Sequence, residues 1–351
     1  MRSFASDNNS GVHPLIMDAI VRANHDHAVG YGDDPYTKAA TDKLKEVFGE
    51  EADPFFVFNG TGANSVALQA VTRSFHSILC TRTAHIYVDE CGAPARMSGC
   101  TVIAIPSEDG KLTPELIGQH LHNFGVCHHA QPKVVYISQV SELGTVYTAN
   151  EISDIAGLLH DNHMYLHMDG ARLANACACL DCTMKELTVD AGIDVLSFGG
   201  TKNGMMMGEA IISFRPEITA TLPYFRKQST QLSSKMRFLS AQFMPYLEND
   251  LWLHNATSAN QKAARLAGIL KSYPEIRFTQ KPESNQLFFT MPAEAAKKLS
   301  EKYFFYYWNE AVSEVRLVTS WDTTDEDIDN LGGTLKEIFG RTPGSGANCD
   351  R

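Results

Sequence analysis

Between residues 55 and 214, short apolar runs alternate with amphipathic stretches, a spacing that predicts strand and helix in turn. The strand-like runs are 55–58, 77–81, 85–88, 101–105, 134–138, 164–168, 195–198 and 210–214. Between them, residues 63–74, 113–122 and 149–160 carry apolar side chains at helical period, and in the first of these Val66, Ala67, Ala70 and Val71 share a face. Thr113 supplies an N-cap for the second, with Pro114 at its first helical position and Glu115 in its first turn. Such alternation predicts an α/β fold, a mainly parallel sheet flanked by helices on both faces. Ligands in these sheets bind beyond the carboxyl ends of the strands, so residues just after each strand are the ones to inspect.

The last third changes character. A long helical pattern over residues 234–273 carries Leu239, Phe243, Leu247, Leu251 and Leu253. After Pro274 the order becomes strand 277–278, strand 286–291, helix 294–301 and strand 315–318, which predicts a smaller C-terminal α/β domain. A final helix follows Thr323-Thr324-Asp325-Glu326-Asp327, where a hydroxyl cap and acidic side chains suit the positive end of the helix dipole. The expected organisation is an N-terminal arm over 1–14, a large domain over 15–245, a small domain over 246–340 and a disordered tail over 341–351.

Composition narrows the partners. A chain of 351 residues buries enough surface to stand without disulfide or metal staples. Its 30 Lys and Arg against 41 Asp and Glu leave a formal charge of −11, which argues against nucleic-acid and anionic-membrane partners. The N-terminus turns polar where a signal peptide needs an apolar core, and no run approaches the roughly 20 residues of a membrane span. The 8 cysteines form no disulfide framework. Cys177, Cys179 and Cys182 lack a second ligand pair and, among Ala174, Ala176 and Ala178, read as a helix of small residues. The expectation is a reduced cytoplasmic chain without a metal.

Candidate chemistry gathers at three strand ends. Gly60-Thr61-Gly62-Ala63-Asn64 joins a strand to a helix start, where free N–H groups and the helix dipole attract an anion. It is neither G-x-G-x-x-G nor a P-loop, and a tight connection without a ligand fits it as well. Asp169 ends the strand Tyr165-Leu166-His167-Met168, so its carboxylate lies at the ligand edge, although an acid there also serves as a helix cap. Lys202 follows 33 residues later, again just past an apolar strand, in Gly199-Gly200-Thr201-Lys202-Asn203-Gly204. That interval is one helix plus one strand, so both groups can stand on neighbouring strand ends. A lysine among small residues, partly desolvated, can form a Schiff base. An acid for a pyridine nitrogen, a lysine for an aldehyde and a Gly/Thr cup for a phosphate together compose a pyridoxal phosphate site.

At this point the sequence resembles the pyridoxal-phosphate enzymes of the aspartate-aminotransferase fold (fold type I), and among them the L-threonine aldolases of low specificity. The segments that carry the resemblance are Phe4-Ala5-Ser6-Asp7, Tyr31-Gly32-Asp33-Asp34-Pro35, Gly60 to Asn64, Ala84-His85, Leu166-His167-Met168-Asp169-Gly170-Ala171-Arg172, Gly200 to Gly204 and Val315-Arg316-Leu317-Val318-Thr319. They run in the family's order over nearly the whole chain. The resemblance implies that Lys202 carries the cofactor as a Schiff base, that Asp169 pairs with its ring nitrogen and that Gly60, Thr61 and Gly62 hold its phosphate. It implies that His85 stacks on the ring and is the candidate for taking the β-hydroxyl proton. Ser6, Arg172 and Arg316 fit a substrate carboxylate, and Tyr31, with Arg226 or Lys227, a neighbouring subunit's site in a dimer or tetramer. The implied activity is aldehyde-lyase cleavage of β-hydroxy-α-amino acids to glycine and an aldehyde. β-Elimination, transamination and racemisation on the same scaffold are the alternatives.

One departure concerns the chemistry. Many family members carry a histidine in an Asn-Thr-His-Asn-Gly stretch where this chain has Val140-Ser141-Glu142-Leu143-Gly144, so Glu142 stands in an imidazole's place. His25, His27, His120, His122, His128, His129, His160 and His163 show no ligand spacing and read as surface residues. Met205-Met206-Met207 reads as pocket wall or interface filler. Whatever the bulk charge, the site itself should be cationic through Lys202, Arg172 and Arg316.

Overall fold

The computed structural model describes residues 3–122 and 124–340. Seven strands, β1 (Asp53–Val57), β2 (His76–Thr81), β3 (Thr101–Ile105), β4 (Gln131–Ser138), β5 (Tyr165–Gly170), β6 (Val195–Gly199) and β7 (Glu209–Ser213), form one sheet in the order β1-β7-β6-β5-β4-β2-β3. From β6 through β5, β4 and β2 to β3 all pairs are parallel, while β7 runs antiparallel to both β6 and β1. The mainly parallel sheet is therefore as expected. β6 and β7 are buried along their whole length, in keeping with unbroken apolar sequences covered on two faces. Helix Gly60–Val71 is buried from Gly62 to Val71, because it lies between the sheet and the helices Ala93–Ser98 and Leu222–Gln228.

A second sheet of four strands, β8 (Arg277–Phe278), β9 (Gln286–Thr290), β10 (Tyr306–Asn309) and β11 (Glu314–Val318), runs in the order β10-β11-β9-β8 with every pair antiparallel. Helices Leu251–Lys271, Ala293–Ser300 and Asp325–Phe339 pack with it around Leu266, Phe289, Leu317 and Leu331. Phe4 is buried in the same core, and its backbone bonds Phe304 O and Val318 N, which ties the N-terminal segment to this sheet. From there the segment delivers Asp7 to the edge of the large sheet. The acidic first turn of Asp325–Phe339 closes a capping box between Thr324 and Asp327.

Three local expectations differ from the structure. Residues 85–88 form a helical turn, His85–Val88, instead of a strand. Only Ile86 is buried there, Tyr87 and Val88 are exposed, and three apolar residues after a histidine do not distinguish the two periods. The helical pattern over 234–273 is broken into Arg237–Ser240, Phe243–Leu247 and Leu251–Lys271. Asn249 and Asp250 interrupt it with φ of 50° and 56°, the left-handed conformation that short polar side chains tolerate. The small sheet also holds β10, which no alternation announces, and its antiparallel pairing is not that of a β-α-β crossover. Among the described residues no helix is long and apolar enough to cross a membrane. The expected disordered tail, 341–351, lies outside the described residues.

Candidate active site

Asp169 sits in β5 and Lys202 in the single turn Thr201–Asn203 that follows β6, its parallel neighbour, where Asp169 stands in register with Ser197. The Lys202 turn is held from all sides. Thr201 Oγ1 donates to Glu209 Oε1 (2.7 Å), and Asn203 Nδ2 donates to Tyr246 Oη (3.0 Å) and Trp252 O (2.8 Å). Asn255 Nδ2 donates to Asn203 O at 2.9 Å. Gly204 closes the turn at φ 106°, and a Cβ there would stand 2.9 Å from the Asn255 amide nitrogen, so only glycine fits. Lys202 Nζ itself has no hydrogen-bond or ion-pair partner among the described residues. A backbone this constrained presents an amine free to react.

Asp169 is the opposite case, a carboxylate with every donor supplied. Oδ2 accepts from Tyr136 Oη (2.6 Å) and Asn64 Nδ2 (2.9 Å), and Oδ1 from Ala171 N (2.9 Å). Burial opposes its ionisation, but Lys202, Tyr136, Asn64 and His85 outweigh burial and hold the carboxyl below its ordinary value. Asn64 Nδ2 also donates to Glu90 Oε1 (2.8 Å), and the same oxygen meets His85 Nδ1 at 2.8 Å. The Glu90 contact raises the His85 imidazole above its ordinary value against burial, with Glu142 and Asp169 adding to the effect.

These groups share a cavity of about 330 Å³ whose wall includes Gly60, Thr61, His85, Asp169 and Lys202. At one end the N-cap Asn59 accepts from Gly62 N (2.8 Å), leaving the first N–H groups of helix Gly60–Val71 as a positive terminus. Two further carboxyls face the cavity. Burial pushes Glu209 up to about 8, with Thr201 and Lys202 pulling against it, so it is protonated at neutral pH and does not repel an anion. Burial also raises Glu142, against Lys202, Arg172 and His85, and neither of its oxygens takes a hydrogen bond from the described residues.

The beta-eliminating lyase family matches residues 3–293. A low-specificity L-threonine aldolase from a Pseudomonas species is 41% identical over 339 residues, 96% of this chain and 98% of its own length. That from Pseudomonas aeruginosa is 40% identical over 97% and 98%. The chain belongs to this family, within its threonine aldolase branch. The solved threonine aldolase of Leishmania major superposes with a TM-score of 0.91 at 31% identity, covering 96% of this chain and 99% of that one. Beta-eliminating lyases of this branch depend on pyridoxal phosphate.

The residues present in this family member fit that cofactor on their own chemistry. The cavity offers an amine without a partner, a fully ionised acid and a helix N-terminus. Asn64 Oδ1 and Ser138 Oγ are buried beside them without hydrogen-bond partners. The structure therefore brings together Lys202, Asp169, His85, Gly60 and Thr61, with Gly62 just behind. A Cβ at Gly62 would meet the Gln231 amide carbon at 2.3 Å, and Gln231 Oε1 accepts from Phe58 N (3.0 Å) at the mouth of the same turn.

Besides Gly62, the expected residues Arg172, Arg316, Ser6, Tyr31, Arg226 and Lys227 are not on the cavity wall. Arg172 gives Nε and Nη2 to Asp7 at 2.7 and 2.8 Å in a buried bidentate pair, so its charge is compensated and the site is less cationic than expected. Burial opposes the charge on Asp7, but Arg172, together with Lys202 and Asn285, outweighs it and holds the carboxyl below its ordinary value. Arg316 donates Nη2 to Ala5 O (3.1 Å) and lies against the rings of Tyr306 and Trp308. Ser6 Oγ caps the turn Asp7–Asn9, accepting from Asn8 N, and Tyr31 is exposed with Lys227 Nζ 5.1 Å from its ring centre. Arg226 is turned inward over Phe55, with Nη1 on Phe56 O. Glu90, Tyr136, Asp7 and Glu209 carry roles that sequence reasoning did not assign. Of these, Glu90 lies five residues beyond His85, just past its helical turn, and Asp7 directly follows Ser6, so both lay close enough in sequence to be inspected with those candidates.

Proposed function

We propose that this chain is a pyridoxal-phosphate-dependent aldolase that cleaves β-hydroxy-α-amino acids, such as L-threonine, L-allo-threonine and phenylserine, to glycine and an aldehyde. The observation that carries the reading is the unpartnered Lys202 Nζ in one cavity with the ionised Asp169 and the open N-terminus at Gly60 and Thr61. When bound, the cofactor supplies an electron sink conjugated to the substrate's Cα.

In this reading Lys202 would hold the cofactor through Nζ, Asp169 would pair with its ring nitrogen, and Gly60, Thr61 and Gly62 would take its phosphate. Arg316 is a desolvated guanidinium with no carboxylate within ion-pair distance among the described residues, which suits it to the substrate's carboxylate. Ser6 borders that pocket, and Arg172, already paired with Asp7, backs it without a free fork of its own. They adjoin Arg316 through Ala5 and Asp7 of the N-terminal segment. Holding the carboxylate fixes the amino acid about its Cα so that the Cα–Cβ bond is the one set to break. His85 Nε2 takes the β-hydroxyl proton as that bond breaks, and the aldehyde leaves. Tyr31 serves a neighbouring subunit's site in a dimer or tetramer, a use that its exposure favours. A reducing cytoplasm suits the seven free cysteines of the described residues.

Incubation with L-threonine, L-allo-threonine and phenylserine tests the reaction, with glycine and aldehyde assayed together. Equimolar glycine and aldehyde from a yellow protein, whose colour borohydride discharges onto Lys202, is the expected result. Ammonia and a keto acid without glycine would point instead to β-elimination, for which the family's own description speaks. Arg316→Ala should lower kcat/KM by about 10- to 100-fold, the value of one or two hydrogen bonds to a charged group. Unaltered kinetics in that variant would remove Arg316 from the carboxylate pocket.

A further inference from the structure

His85 is borne by a four-residue helical turn, and directly behind it the chain reverses through Cys91 and Gly92, both at positive φ. That reversal turns Glu90 inward, where its side chain has 0% exposure. A carboxylate is removed from water this completely only where donors compensate it. Here both donors converge on one oxygen. Glu90 Oε1 meets His85 Nδ1 and Asn64 Nδ2, each at 2.8 Å, while Oε2 has no partner.

The neighbours settle which atoms carry hydrogen. Asn64 Nδ2 lies between Glu90 Oε1 and Asp169 Oδ2, two acceptors, so the amide must present its two N–H groups there. Glu90 Oε1 is then an acceptor toward its other neighbour as well, and His85 Nδ1 must be the donor. A neutral His85 consequently keeps its lone pair on Nε2, the nitrogen left for the cavity.

We propose that Glu90 is the positioning residue for His85, fixing its ring orientation and its Nδ1–H tautomer and, through Asn64, joining it to Asp169 in one network. The inference rests on the reading that His85 accepts the β-hydroxyl proton. Besides Glu90 from the segment just past its turn, the charged groups facing His85 are Glu142 from the loop after β4, Asp169 from β5 and Lys202 from the turn after β6. Glu142 and Asp169 favour the imidazolium and Lys202 disfavours it, but among these groups only Glu90 bonds the ring.

The test uses the holoenzyme labelled with ¹⁵N-histidine, with His85 assigned by its loss in His85→Asn, alongside kcat and KM for L-threonine across pH. Parent enzyme should show protonated Nδ1 and bare Nε2 above the His85 midpoint. Glu90→Gln keeps an oxygen for the two donors but removes the charge. The His85 midpoint and the acid limb of kcat should both fall by about 1–3 pH units. Glu90→Leu removes the acceptor too, so the tautomers should mix and kcat should drop at least about tenfold, with KM altered much less. An unchanged midpoint and tautomer in both variants would overturn the proposal and leave Glu90 a packing residue. If the signals move while threonine cleavage stays constant, Glu90 does hold His85, and it is the assignment of His85 as the base that fails.

Discussion

A Lys202→Ala enzyme should fold as the parent does, remain colourless and cleave L-threonine on the order of a thousandfold more slowly or worse. The fold is spared because the turn does not depend on the lysine side chain. Thr201 is held by Glu209, Asn203 by Tyr246 and Trp252, and Gly204 is wedged against Asn255. Nζ makes no contact that a methyl group would forfeit. Losing a positioned acid–base or nucleophilic amine typically removes about 10²–10⁴ of rate, and on the proposed reading the same atom would also hold the cofactor. The substitution has an electrostatic consequence as well. Lys202 lowers the carboxyl pKa of Asp7, Asp169, Glu142 and Glu209, so all four should titrate higher in the variant. Visible absorbance, melting temperature and a glycine assay read these effects separately. A variant that keeps its yellow band, or turns over within tenfold of the parent, would remove Lys202 from the chemistry.

Asp169 and Lys202 were readable in the sequence because each obeys a local rule. Each ends an apolar run, and parallel sheets put such positions on one edge, so an interval of one helix and one strand sufficed to pair them. Gly60 and Thr61 were readable for the same reason, as a strand running into a helix start. The partners that give these residues their properties obey no local rule. Tyr136 lies 33 residues from Asp169, and Asp7 lies 165 from Arg172. Only the docking of the N-terminal segment on the small sheet brings that last pair together. The resemblance to a family named Arg172 as a substrate ligand without saying that a carboxylate of the same chain already occupies it. His85–Val88 shows the other limit. A histidine and three apolar residues fit either period, and the exposure of Tyr87 and Val88 decided it. The small sheet was half legible for a related reason, since Tyr306 and Tyr307 on edge strand β10 are themselves exposed and leave no alternation to read.

Asp169→Asn should retain the yellow band of the parent while losing about 10²–10³ in kcat, the usual toll for one electrostatic group aimed at developing charge. On the proposed reading the band survives because Lys202 and the Gly60–Thr61 terminus are untouched; turnover does not, because a neutral amide would not hold a proton on the ring nitrogen as an ionised carboxylate would. The hydrogen bonds make the amide a poor substitute on other grounds. Oδ1 faces one donor, Ala171 N, and Oδ2 faces two, Tyr136 Oη and Asn64 Nδ2. An asparagine must point its own N–H₂ at one of these sets, so in either orientation a donor meets a donor, at about 1–3 kcal/mol. The pH dependence follows from the sign of the shift. Asp169 is held below its ordinary value when folded, so its ionised form stabilises the protein above the unfolded carboxyl pKa and ceases to do so as pH falls through the folded one. Parent and variant should therefore differ most in melting temperature near neutrality and converge under acid. A gap that stays constant down to strongly acidic pH would mean that Asp169 contributes shape alone, and a variant with parental kcat would mean that its charge is not what the reaction uses.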